Sequence, residues 1–124
     1  MGRYYSGDIE GKFWFAVQAS DAADRFGVTG TPPNYLNYYF DISNLQSIRD
    51  EIGVILKNLG EYRDKLDKFF DMKCCYNDKE LQEYLKVDEN KERYLLSEYA
   101  DLCLGEKILK CVEENGSCEF EAEL

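Results

Sequence analysis

Eight apolar residues, Leu45, Ile48, Ile52, Ile55, Leu59, Tyr62, Leu66 and Phe69, recur at alternating intervals of three and four. No other feature constrains the fold as strongly. A strand would scatter them over two faces, whereas an α-helix gathers them into one stripe about seven turns long. Ser43 or Asn44 can cap its start. Gly53 and Gly60 fall outside the stripe, and each weakens a helix by about 1 kcal/mol relative to alanine, so the pattern tolerates a bend or break near Gly60. The stripe also suits a dimerising coiled coil flanked by Arg49, Glu51, Arg63 and Lys65. Leu56 and Phe70 widen it beyond a two-helix seam, which favours packing inside the chain's own core. A monomer and a homodimer both fit.

The segments on either side have a different period. Lys12 to Gln18 (KFWFAVQ) is apolar on both alternations, which predicts a central strand. Arg3-Tyr4-Tyr5 pairs with it as a hairpin, because Ser6-Gly7-Asp8 is rich in turn formers. Ser20 can cap a short helical turn over residues 21–26 that Gly27 stops. A loop through Thr31-Pro32-Pro33-Asn34 then leads to Tyr35–Phe40 (YLNYYF), a strand with Leu36, Tyr38 and Phe40 on one face.

After the long helix, Asn77 or Asp78 can open a short helix through Leu81, Tyr84 and Leu85. Asp88 or Asn90 can open another through Tyr94, Leu95, Tyr99, Leu102 and Cys103. Gly105 reads as a kink or junction before Ile108, Leu109 and Val112, and Asn115-Gly116 as a stop. Finally, Cys118, Phe120, Ala122 and Leu124 alternate with Glu119, Glu121 and Glu123, which predicts a strand with one wet face, placed at a sheet edge. Helices segregated in sequence from most strands mark an α+β fold. The expected architecture is one domain over residues 1–124: a small antiparallel sheet of three to four strands, packed against a helical hairpin of residues 44–70 and 91–114, with the C-terminal strand returning to the sheet.

Charge limits what such a domain can do. The net charge is −10, and residues 61–124 carry eighteen acidic against ten basic groups, so −8 of it lies in the second half. That field repels phosphate backbones and argues against direct nucleic-acid binding. The partner expected is an unidentified protein, more easily a basic one. No stretch approaches the roughly 18 apolar residues of a membrane span, and the N-terminus lacks a charged-then-apolar leader. The odd set Cys74, Cys75, Cys103, Cys111 and Cys118 contains no CxxC pair. Free thiols in a reducing, cytoplasmic compartment are expected, with no metal centre and no cofactor. Histidine is absent, which removes the commonest general base and the usual partner of a nucleophilic Ser or Cys.

Three readings of function follow. Aromatic residues make up 15% of the chain, and Tyr4, Tyr5, Trp14, Tyr35, Tyr38 and Tyr39 crowd its first third. An aromatic sheet surface or an acidic face would then serve a non-enzymatic protein-interaction or accessory module. Alternatively, Asp21 and Asp24, three apart and near Trp14 and Tyr38, could bind a ligand or a divalent cation, or divide acid and base roles in a small enzyme. Third, Glu119, Glu121 and Glu123 on one strand stand about 7 Å apart, close to the spacing of two phosphates along one DNA strand, so the row could imitate nucleic acid. The opening GRYYSGDIEGKFWFAVQASDAADRFGV resembles uncharacterised short proteins of large DNA viruses and marine metagenomes, over the N-terminal third of the chain. That resemblance implies a viral accessory protein and no particular activity.

Overall fold

The computed structural model describes residues 3–14, 18–30, 35–72 and 78–123. The expectations for Phe15, Ala16, Val17, the Pro32-Pro33 loop and vicinal Cys74 and Cys75 lie outside them. The fold is α+β. Strands β1 (Tyr4–Gly7), β2 (Gly11–Lys12), β3 (Tyr35–Asp41) and β4 (Ser117–Glu123) form one antiparallel sheet in the order β2-β1-β4-β3. The helices are α1 (Leu45–Leu59), α2 (Tyr62–Met72), α3 (Asp78–Leu85) and α4 (Glu89–Asn115).

The C-terminal strand returns to the sheet, but inside it and not at its edge. Tyr5 pairs with Ala122 on one side of β4, and Leu36 pairs with the same residue on the other. The alternation of glutamates with apolar residues reports a solvated face, and a central strand of a one-sided sheet has such a face as readily as an edge strand does. On the inner face, Phe40 and Phe120 stack at 6.2 Å and 6° and Tyr38 and Phe120 at 5.1 Å and 18°, while Tyr5 meets Phe120 edge-on at 6.0 Å.

The strand expected over residues 12–18 stops at Lys12, and β2 is an edge strand of two residues. Phe13 still donates its N–H to the Arg3 carbonyl at 2.9 Å, and its ring turns inward against Tyr5 at 5.1 Å. At Trp14 the ladder ends, because Gln18 claims both backbone groups. Trp14 N donates to Gln18 Oε1 at 3.1 Å, and Gln18 N donates to the Trp14 carbonyl at 3.0 Å.

The long apolar stripe divides at Gly60, whose φ of +54° suits glycine and ends α1, while Leu66 and Phe69 of α2 continue into the core. Asp88 caps α4, accepting from Lys91 N at 2.8 Å. α4 runs through Gly105 without the expected junction. A Cβ there would sit 2.5 Å from the Phe26 ring, so Gly105 permits a close approach. Phe26 belongs to a 3-10 turn over Ala22–Phe26 that packs on α1 and α4. Asp21 precedes this turn with no side-chain cap, and the expected cap, Ser20, instead accepts from Arg3 NH1 at 2.7 Å. α1 and α4 form the core of the expected hairpin, and α4 also contacts β3 and β4. No helix among the described residues is long and apolar enough to cross a membrane.

Candidate interaction surface

Strand period dictates that residues flanking each inward ring point outward. On this sheet the outward set is Tyr4 and Ser6 of β1, Tyr35, Asn37 and Tyr39 of β3, and Glu119, Glu121 and Glu123 of β4. Tyr4, Tyr35 and Tyr39 are 51%, 46% and 53% exposed. The register pairs Tyr35 with Glu123, Asn37 with Glu121 and Tyr39 with Glu119, while Ser6 pairs with Glu121 from the other side. The aromatic surface and the acidic row, alternatives when read from the sequence, therefore share one face.

Backbone contacts fix this face at its rim. Tyr4 N donates to Glu123 Oε1 at 2.8 Å, and Lys12 Nζ sits 5.8 Å from the Tyr4 ring centre. Asp8 N donates to the Glu119 carbonyl at 2.8 Å, and Glu119 N donates to Asp8 Oδ2 at 2.9 Å. Gly7, with φ +147°, lets β1 approach β4 here. A Cβ would lie 2.5 Å from the Glu119 carbonyl oxygen. The result is an open hollow of about 400 Å³ lined by Ser6, Gly7, Asp8, Glu119, Phe120 and Glu121. The Glu119 and Glu121 carboxylates make no hydrogen bond or ion pair with a described residue.

Of the ligand-site candidates Trp14, Tyr38, Asp21 and Asp24, Tyr38 and Asp24 come together, whereas Trp14 lies in a different cluster. Tyr38 is 1% exposed and donates its hydroxyl to Asp24 Oδ1 at 2.5 Å, and the same oxygen accepts from Gly30 N at 3.0 Å. Burial first, and then the bond to Asp24, push the Tyr38 pKa well above its usual value. Asp24 thus ties the 3-10 turn to the sheet. Asp21 is exposed. Trp14 meets Phe70 and Tyr99 edge-on at 5.5 and 5.9 Å, in an aromatic cluster away from the Tyr38 stack. Among the described residues, no three Cys, Asp or Glu groups are placed to hold a metal ion. Buried Cys111 and Cys118 and exposed Cys103 carry free thiols. Burial, then its hydrogen bond with Cys111, raises the Cys118 pKa, which leaves little thiolate for chemistry.

One polar cluster was not anticipated. Arg25 NH1 donates to Asp101 Oδ2 at 2.8 Å, its Nε donates to Glu51 Oε2 at 2.9 Å, and its NH2 reaches Glu98 at 3.3 Å. Gln18 Nε2 donates to the other Asp101 oxygen at 3.0 Å, so Gln18 joins Trp14 to the cluster. Burial lowers the Arg25 pKa, but its bonds to Asp101 and Glu51 and the Glu98 charge outweigh that effect and raise it. Asp101 is also shifted upward, because burial outweighs the opposing bonds to Arg25 and Gln18. One cation shared by three largely buried carboxylates clamps the turn to α1 and α4. Its sequence signal is faint: Arg25 is the lone Lys or Arg between Lys12 and Arg49.

Compared with family models, with curated proteins and with solved structures, the chain finds no match.

Proposed function

We propose that the chain is a non-enzymatic protein-interaction module that engages its partner on the outer face of the sheet. One observation carries this reading: three exposed tyrosines and three glutamates share a face that no described element covers. Tyrosine suits an interface because a rigid ring buries a large apolar area at little entropic cost and keeps a polar tip for hydrogen bonding. The candidates for catalysis give less support to an enzyme. Asp24 is engaged by Tyr38 and Gly30, and Trp14 packs in another cluster. The row Glu119, Glu121 and Glu123 alternates with buried residues along β4, which a phosphate mimic would also require. Its flanks are Tyr35, Asn37 and Tyr39, however, where a duplex would present a second charged row.

A photoreactive phenylalanine analogue at position 39, in the full chain, tests the reading in extracts of the cells that make the protein. Position 94, an exposed tyrosine on α4, is the control. The expected result is a discrete crosslinked partner at position 39 that is absent at position 94. Equal crosslinking at both positions, or none at 39, removes the sheet face as the docking surface.

A further inference from the structure

We infer that the segment docking on this face presents arginine to it, an assignment that rests on the sheet face being the docking surface. Asp8, Glu119, Glu121 and Glu123 are set along β4 and the adjoining turn, and Lys12 is the one cation of the sheet strands. Such a surface repels phosphates, acidic lipids and, at a net charge of −10, a second copy of the chain. It attracts a basic protein segment.

Geometry favours arginine over lysine. The hollow between Asp8, Glu119 and Glu121 opens beside exposed aromatic rings, Tyr39 being the direct cross-strand neighbour of Glu119. A guanidinium is a planar fork that can bond two carboxylate oxygens side by side and stack on a tyrosine ring, and it is more weakly hydrated than an ammonium. An ammonium meets the same carboxylates as a point charge and sheds its water less readily. The Glu119 and Glu121 carboxylates have no cation among the described residues, so an arriving guanidinium displaces no internal pair. Tyr4 and Tyr35 lie on either side of Glu123, so an extended segment crossing the face would meet a carboxylate and a ring in each of two rows.

The probe is an eight-residue peptide of alternating arginine and threonine, titrated into the full-length, isotope-labelled chain at about 50 mM salt, with amide shifts as readout. Two further peptides replace every arginine with lysine or with neutral citrulline. The arginine peptide should bind at least about ten-fold more tightly than the citrulline peptide and measurably more tightly than the lysine one. Its shifts should fall on residues 4–8, 35–41 and 117–123, and binding should weaken steeply at about 500 mM salt. The double variant Glu119→Gln, Glu121→Gln, both at exposed positions, should keep its circular dichroism and lose about ten-fold in affinity.

The assignment is overturned if lysine or citrulline serves equally well, if the shifts gather on the acidic helices, or if the folded double variant binds unchanged. The underlying reading fails separately. Should position 39 capture a partner that the arginine peptide does not displace, the docking surface stands and the arginine assignment falls.

Discussion

Tyr38 has one polar atom to satisfy in an apolar stack, and it does so by donating to Asp24 across fourteen residues of chain. Tyr99 does the same with Asp67 at 2.6 Å. In both, burial first and the carboxylate bond second raise the pKa above the ordinary value of 10.0. The folded chain therefore keeps protons that the unfolded chain releases near pH 10, so stability is full below about pH 10 and falls as pH rises beyond it. Urea midpoints should hold steady to about pH 9.5 and then decline. Tyr38→Phe should lower stability by about 1 kcal/mol at pH 7 and flatten the alkaline decline. Equal losses at pH 7 and pH 11 would show that this hydroxyl retains no proton. The inward placement of Tyr38 is legible from strand alternation, but its partner is not, because Asp24 arrives from an irregular turn. Arg25 repeats the lesson, since Glu51, Glu98 and Asp101 lie on two helices that only tertiary folding brings to it.

Gly53 and Gly105 both lie inside helices, yet their surroundings oppose each other. A Cβ on Gly53 would meet nothing within 4 Å, whereas one on Gly105 would strike the Phe26 ring. Gly53→Ala should therefore stabilise the chain by about 0.5–1 kcal/mol through helix propensity. Gly105→Ala should destabilise it by about 1–3 kcal/mol through overpacking. Chemical denaturation of the two variants checks the pair, and a shift of the same sign in both would refute the contact with Phe26. Elements with long, clean periodicity were readable: α1, α2, β3 and β4 follow their apolar spacing closely. What failed to show was context. KFWFAVQ carries strand composition, but Gln18 folds back onto Trp14, and a side-chain bond of that kind leaves no periodic trace. The glutamates of β4 disclosed a wet face without disclosing that a strand lies on each side. The candidate surface was half visible for the same reason, its tyrosines and glutamates each evident but their convergence hidden in the pairing of β4 with β3.

At the scale of the whole molecule, charge governs association. Two copies approaching sheet face to sheet face bring the same carboxylates together, so the chain should sediment as a monomer at neutral pH and low salt. Near pH 4.5, where the net charge vanishes, self-association should rise. A dimer at neutral pH whose strength is indifferent to salt would show that another surface, such as the flank of α1, holds copies together. The position of β4 has a consequence of a different kind, in the order of events during synthesis. β1 and β3 have no strand in common until β4 arrives between them, more than seventy residues after β3 has left the ribosome. The α1–α4 region can gather early from nearer contacts, while the sheet waits for its middle. A message cut short before Ser117 would not yield a sheet with a missing rim. It would yield a small hairpin and a lone aromatic strand, YLNYYF, with its natural neighbour gone, the form of this chain most exposed to aggregation.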